Sequence, residues 1–88
     1  MPIVNDYILK KVGNEYMLIP TSSNNVSMSK IFNISESGAF IYNALKDNKT
    51  KEEVLVMLKN EYDAKEDILK QDLEEFIGEL KKRGIYKD

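Results

Sequence analysis

Tyr7-Ile8-Leu9-Lys10-Lys11-Val12-Gly13-Asn14-Glu15-Tyr16-Met17-Leu18-Ile19-Pro20 is the stretch that decides the fold. Two runs rich in β-branched and aromatic side chains flank Gly13-Asn14, two residues that tolerate positive φ. That pattern predicts strands over Tyr7–Val12 and Glu15–Ile19, joined as a hairpin. Pro20 stops the second strand, because it has no N–H to give the ladder. Thr21-Ser22-Ser23-Asn24-Asn25 is a loop by composition. Met28-Ser29-Lys30-Ile31-Phe32-Asn33 reads as a third strand, and its imperfect alternation leaves its register open.

The texture changes after Asn33, where charge rises and the apolar spacing becomes helical. A first helix is expected from Glu36 to about Asp47, with Ser35 as N-cap. Gly38, Ile41, Tyr42 and Leu45 share one face, and Phe40 and Ala44 lie on roughly the opposite side. A helix apolar on two sides belongs between other elements. Asp47-Asn48-Lys49 is a turn. Thr50 and Glu53 form a capping box that opens a second helix, with Val54, Leu55, Leu58 and Tyr62 as its inner stripe. Asp63 and Glu66 repeat the spacing and are read as opening a third.

In that third helix Ile68, Leu69, Leu73, Phe76, Ile77 and Leu80 fall within one half of the wheel. Lys81-Lys82-Arg83 suits the negative end of the helix dipole. Gly84 is a natural C′ residue, and Ile85 stands where a Schellman hydrophobic contact would fall. The order β-β-β-α-α-α predicts an α+β, winged-helix-like domain: a three-stranded antiparallel sheet followed by three helices.

Composition bounds the chemistry. With 88 residues, 42% hydrophobic and 32% charged, the chain reads as one soluble domain over residues 1–88. There is no Cys, so disulfides and thiolate-bound metals are excluded; there is no His, the commonest general base and metal ligand. No calcium-loop spacing and no Gly-rich phosphate loop occur. Ser35-Glu36-Ser37-Gly38 only superficially resembles a nucleophile elbow and is better read as a helix cap. The sequence therefore predicts a non-enzyme with no cofactor and no metal. The start Met1-Pro2-Ile3-Val4-Asn5-Asp6 has no secretory character, and the longest apolar run is the five residues from Val54 to Leu58. A cytoplasmic protein without a membrane span is expected. The N-x-S/T triplets at Asn25, Asn33 and Asn48 then carry no meaning.

A winged helix most often suggests DNA. The net charge of −2 and the pI of about 5.2 oppose that. From Glu66 to Arg83 there are six acids against four bases, three of them in the last turn. A helix with that many carboxylates is repelled by phosphate, so a DNA-binding regulator is only the alternative reading.

Two features point to a peptide. A three-stranded sheet has free edges, and the third strand can either be an ordinary shielded edge or take an added strand. Asp72 lies about 40° around the helix from Ile68, inside the expected apolar arc. Either this part of the arc reaches the rim, or Asp72 bonds to a nearby backbone N–H or Lys, or it anchors a partner in a cleft.

The chain resembles the PqqD-type proteins, the precursor-peptide recognition elements of ribosomal peptide modification. The resemblance runs from about Tyr7 to Ile85. It is carried by Tyr16-Met17-Leu18-Ile19-Pro20 and Phe32-Asn33, then Ser37-Gly38-Ala39-Phe40-Ile41-Tyr42-Asn43-Ala44-Leu45 and Thr50-Lys51-Glu52-Glu53-Val54. Leu58, Tyr62, Asp72-Leu73-Glu74-Glu75-Phe76, Leu80 and Gly84-Ile85 complete the ordered set. The family often has Trp where Tyr42 stands and Asp-Gly where this chain has Asp47-Asn48.

What the resemblance implies is a non-catalytic protein. It would capture the leader of a precursor peptide by strand addition and present it to a modifying enzyme: a radical-SAM protein, a cyclodehydratase or a leader protease. Carried over, the docking edge is Met28, Ser29, Lys30, Ile31, Phe32 and Asn33, and the cleft wall is Leu69, Asp72, Leu73 and Phe76. Val56 and Met57 are a weak candidate for the enzyme-facing patch. A monomer or weak homodimer is expected, with neither nucleic acid nor membrane as partner.

Overall fold

The structure is a computed structural model that describes residue 3, residues 7–21 and residues 31–87. Three strands come first, β1 (Tyr7–Val12), β2 (Glu15–Pro20) and β3 (Phe32–Ile34). Three helices follow, α1 (Glu36–Lys46), α2 (Lys51–Glu61) and α3 (Glu66–Lys82). The sheet is antiparallel in the order β1-β2-β3, so β3 is an edge. This is the α+β, winged-helix-like order that the sequence predicts.

The hairpin closes at Gly13-Asn14 with Val12 opposite Glu15. Gly13 has φ of 62°, and among the described non-glycine residues only Asn48 has a positive φ. Glycine therefore takes the first central position, as in hairpin turns of type II′. β2 includes Pro20, which faces Tyr7 at the strand's last register position. Leu18 is fully buried and faces Leu9, while Ile8 and Ile19 lie opposite each other on the outer face.

β3 departs from expectation. It starts at Phe32 and ends at Ile34, with Phe32 opposite Leu18 and Ile34 opposite Tyr16. Ile31 precedes the strand instead of lying within it, and Met28, Ser29 and Lys30 lie outside the described residues. The weak alternation of this segment is why its limits were not legible.

Helix α1 is buried on two sides, through Gly38, Ala39, Ile41, Tyr42, Ala44 and Leu45, and thus lies between other elements as its pattern predicts. Tyr42 is 1% exposed and its hydroxyl donates to the Tyr7 carbonyl at 3.5 Å. Burial pushes the phenol's pKa up. Asp47 caps the helix, and Asn48 takes the left-handed conformation with φ of 65°. The Asn48 N–H donates to Leu45 and the Lys49 N–H to Ala44, the paired bonds of a Schellman close. The capping box at Thr50 and Glu53 forms in both directions.

Helix α3 begins differently from expectation. Its N-cap is Lys65, with no side-chain cap, so Asp63 and Glu66 do not form the box. Glu66 instead accepts from Lys59 Nζ at 2.9 Å, tying α2 to α3. Its end follows the sequence closely. Gly84 has φ of 73°, its N–H donates to Lys81, and the Ile85 N–H donates to Leu80 at 2.8 Å. Leu80 and Ile85 are both fully buried, the apolar contact that accompanies this motif.

The buried side of α3 is centred on Leu69, Leu73, Ile77 and Leu80. Ile68 lies about 135° from that centre and is 50% exposed, so it leaves the apolar arc the sequence assigned it to. Phe76, about 55° off centre, is half-buried. One apolar cluster joins Leu18 of the sheet to all three helices and to Ile3 and Ile85. Ile3 also bridges to Tyr86, bringing the two ends of the chain together.

Candidate functional site

Ser35 starts the site. Its extended backbone caps α1, and its Oγ accepts from the Gly38 N–H at 3.1 Å. Ser37 Oγ lies 3.1 Å from the same oxygen. A cap of this kind is worth about 1 kcal/mol and fixes where the first turn of α1 begins. Gly38 then presents bare backbone towards α3. A β-carbon there would lie 2.9 Å from Phe76 Cε1, closer than real contacts allow.

That close approach sets the position of the Phe76 ring. Phe76 also stacks on Phe32 of β3, with centroids 6.3 Å apart and planes 19° from parallel. Arg83 closes the row: its guanidinium carbon lies 3.9 Å from the Phe32 ring centre, and its Nε is 3.6 Å from Glu79 Oε2. Arg83, Phe32 and Phe76 thus link the edge strand to the flank of α3.

An open groove of about 360 Å³ runs beside this row. One bank is the start of α1, with Ser35, Ser37, Gly38 and Ile41. The other is α3, with Asp72, Glu75, Phe76 and Glu79. The α3 residues are three, four and seven apart, the spacing of a single helix face. Glu75 accepts from Gln71 and Glu79 lies beside Arg83. Asp72 is exposed, and among the described residues its carboxylate has no hydrogen-bond or ion-pair partner. The bank is therefore acidic, and Asp72 is its free acceptor.

Of the residues singled out in the sequence, the structure brings together Phe32, Asp72 and Phe76. Asn33 is exposed on β3, opposite Met17, on the other face of the sheet from Phe32. Ile31 is half-buried just before the strand. Leu69 and Leu73 are 6% and 2% exposed and belong to the core beneath the groove. Met28, Ser29 and Lys30 lie outside the described residues. Asp72 does not bond to a backbone N–H or Lys among the described residues; it is exposed at the rim of the apolar arc and on the bank of the groove, so the rim and the cleft-anchor readings both fit its position.

Ser35, Ser37, Ile41, Glu75, Glu79 and Arg83 were not picked out as site residues. The sequence held a partial signal: Glu75 and Glu79 follow Asp72 at helical spacing. Among the described residues, no group of three or more acidic side chains could hold a metal ion, and no helix is long and apolar enough to cross a membrane.

Comparison with known proteins places this arrangement. Among curated proteins none matches the sequence. Two solved structures share the fold over 98% of this chain, each with a TM-score of 0.76. One is TbiB1 in complex with the TbiA(beta) leader peptide, 20% identical and covered over 94% of its length. The other is lasso peptide synthetase B1 complexed with the leader peptide, 16% identical and covered over 95%. At such identities the likeness is one of fold. The model of the family described as coenzyme PQQ synthesis protein D (PqqD) matches residues 15–85, which span β2, β3, all three helices and the Gly84-Ile85 close. The chain belongs to the PqqD family.

Proposed function

We propose that this chain is a non-catalytic carrier that captures the leader segment of a ribosomally made precursor peptide and presents it to a modifying enzyme. The observation that carries the reading is the acidic groove between α1 and α3, joined to the edge strand β3 by the Phe32–Phe76 stack. Both structural neighbours carry a leader peptide, by their descriptions.

The division of labour follows from the parts. Backbone groups on the open side of β3 take the leader as an added strand, with little regard to sequence. Side chains beside that strand select. Phe76 and Phe32 offer aromatic surface, and Asp72 offers a charge-assisted hydrogen bond to a leader N–H or basic side chain. Leu69 and Leu73 support the wall from beneath. The carrier raises the rate of modification by raising the local concentration of the precursor. The enzyme served is a radical-SAM protein, a cyclodehydratase or a leader protease.

A DNA-binding regulator fits this surface poorly, because α3 turns a row of carboxylates outward. Fluorescence anisotropy separates the two. The probes are the labelled leader of the precursor encoded beside this gene and a random duplex of similar length, both at low salt. The reading expects saturable leader binding and none to the duplex. The reverse pattern overturns it.

A further inference from the structure

A second groove lies on the opposite flank of α1. The flank towards α3 carries Ser37, Gly38 and Ile41; the flank away from it carries Glu36, Ala39, Phe40 and Asn43. Tyr16 of β2 and Glu61 and Tyr62 at the end of α2 complete the second site. Phe40 and Tyr62 meet edge to face, with centroids 5.9 Å apart and planes at 79°, so each ring holds the other.

The groove combines aromatic surface with uncompensated negative charge. Glu36 and Glu61 are exposed, and among the described residues neither has an ion-pair partner, unlike Glu66 and Glu79. Glu36, Glu61 and Tyr62 line the same groove, and burial first, then the charges of Glu36 and Glu61, push the Tyr62 pKa up. Ring faces and carboxylates together attract a cation. The same fold already shows one such contact, with Lys11 Nζ 5.5 Å from the Tyr16 ring centre. Lys11 covers Tyr16, and the Tyr62 ring and the two carboxylates are left for an incoming group. A planar guanidinium suits them better than an ammonium, since it stacks on a ring while pairing with carboxylates.

We infer that this second groove is the docking surface for the modifying enzyme, which inserts an arginine between Tyr62 and the carboxylates of Glu36 and Glu61. The inference rests on the leader-carrier reading, because a carrier needs a second surface that stays open when the first is filled. Helix α1 supplies that separation, with the leader on one flank and the enzyme on the other.

The test uses the full chain, its Glu36→Gln/Glu61→Gln variant, the labelled leader and the purified modifying enzyme encoded beside the precursor. Both substitutions are at exposed positions and keep side-chain shape, so the variant folds. The expected result is leader affinity within about twofold of wild type and enzyme affinity about tenfold weaker. Wild-type enzyme affinity also falls as salt rises. Equal enzyme affinity for variant and wild type overturns the inference. So does a wild-type dimer in sedimentation that the variant abolishes, because the occupant is then a second copy of the chain. A wild-type chain that binds no leader, yet binds the enzyme through these glutamates, sinks the carrier reading and keeps the docking surface.

Discussion

Phe76 stands over Gly38 so closely that a β-carbon on Gly38 would come within 2.9 Å of its Cε1. Forty positions of chain, less two, separate these residues, yet their approach sets the width of the groove. A shift of the ring also disturbs its stack on Phe32. Gly38→Ala gains about 1 kcal/mol of helix propensity and loses more to overpacking, about 2 kcal/mol. The expected outcome in urea unfolding is a net loss of about 1 kcal/mol, with leader affinity reduced as well. A more stable variant with unchanged affinity would mean that Phe76 moves freely and the groove is not preformed.

Asp72 separates binding from folding. Its carboxylate is exposed and unpartnered among the described residues, so Asp72→Ala leaves the melting temperature essentially unchanged. It weakens leader binding about tenfold, the worth of a charge-assisted hydrogen bond. Calorimetric titration and thermal melting read the two effects independently. A lower melting temperature with intact affinity would make the carboxylate structural.

The turn after α1 offers a stabilising substitution. Asn48 holds φ of 65°, a conformation that glycine adopts without steric cost. Asn48→Gly is expected to stabilise the fold by about 0.5 kcal/mol, since asparagine is already the best tolerated of the side chains there. Equilibrium unfolding measures it, and a loss of stability would show that the Asn48 side chain itself holds the turn.

Acid sensitivity follows from the capping box. The Thr50 backbone N–H and then its hydroxyl bond to Glu53 and hold that carboxyl below its ordinary value of 4.5. A folded-state pKa below the unfolded one means stability that is complete above 4.5 and lost as pH falls through the depressed value. Glu66, held low by its hydrogen bond from Lys59, acts in the same direction. Glu53→Gln removes one of these titrations. The fall in melting temperature on acidification below the ordinary carboxylate value should be shallower than in wild type. An identical profile would assign the acid loss to other groups.

Local chemistry was legible in the sequence. Gly13, Gly84, Thr50 and Ser35 each announce a turn or cap through their own conformational needs, and each stands where expected. The edge strand was misplaced because a strand of three residues carries almost no alternation. Asp63 announced a cap that Lys65 took instead, since Glu66, the other half of the box, is engaged by Lys59. Leu69 and Leu73 entered the cleft wall through the family resemblance alone, and both lie buried beneath the groove, because a resemblance carries positions and not depths. The groove itself depends on Gly38 and Phe32 both meeting Phe76, a tertiary relationship that no local pattern encodes. The family resemblance points to the neighbourhood, and the contacts among Gly38, Phe76, Phe32 and Arg83 belong to the fold.

The most direct measurement is an amide NMR titration of the labelled chain with the leader of the precursor encoded beside this gene. The expected shifts concentrate in Ile31–Ile34 and in Asp72–Glu79, with the Ser35–Gly38 turn moving alongside. Shifts confined to the outer sheet face around Ile8 and Ile19, or no shifts with leader and clear shifts of α3 with duplex DNA, would contradict it.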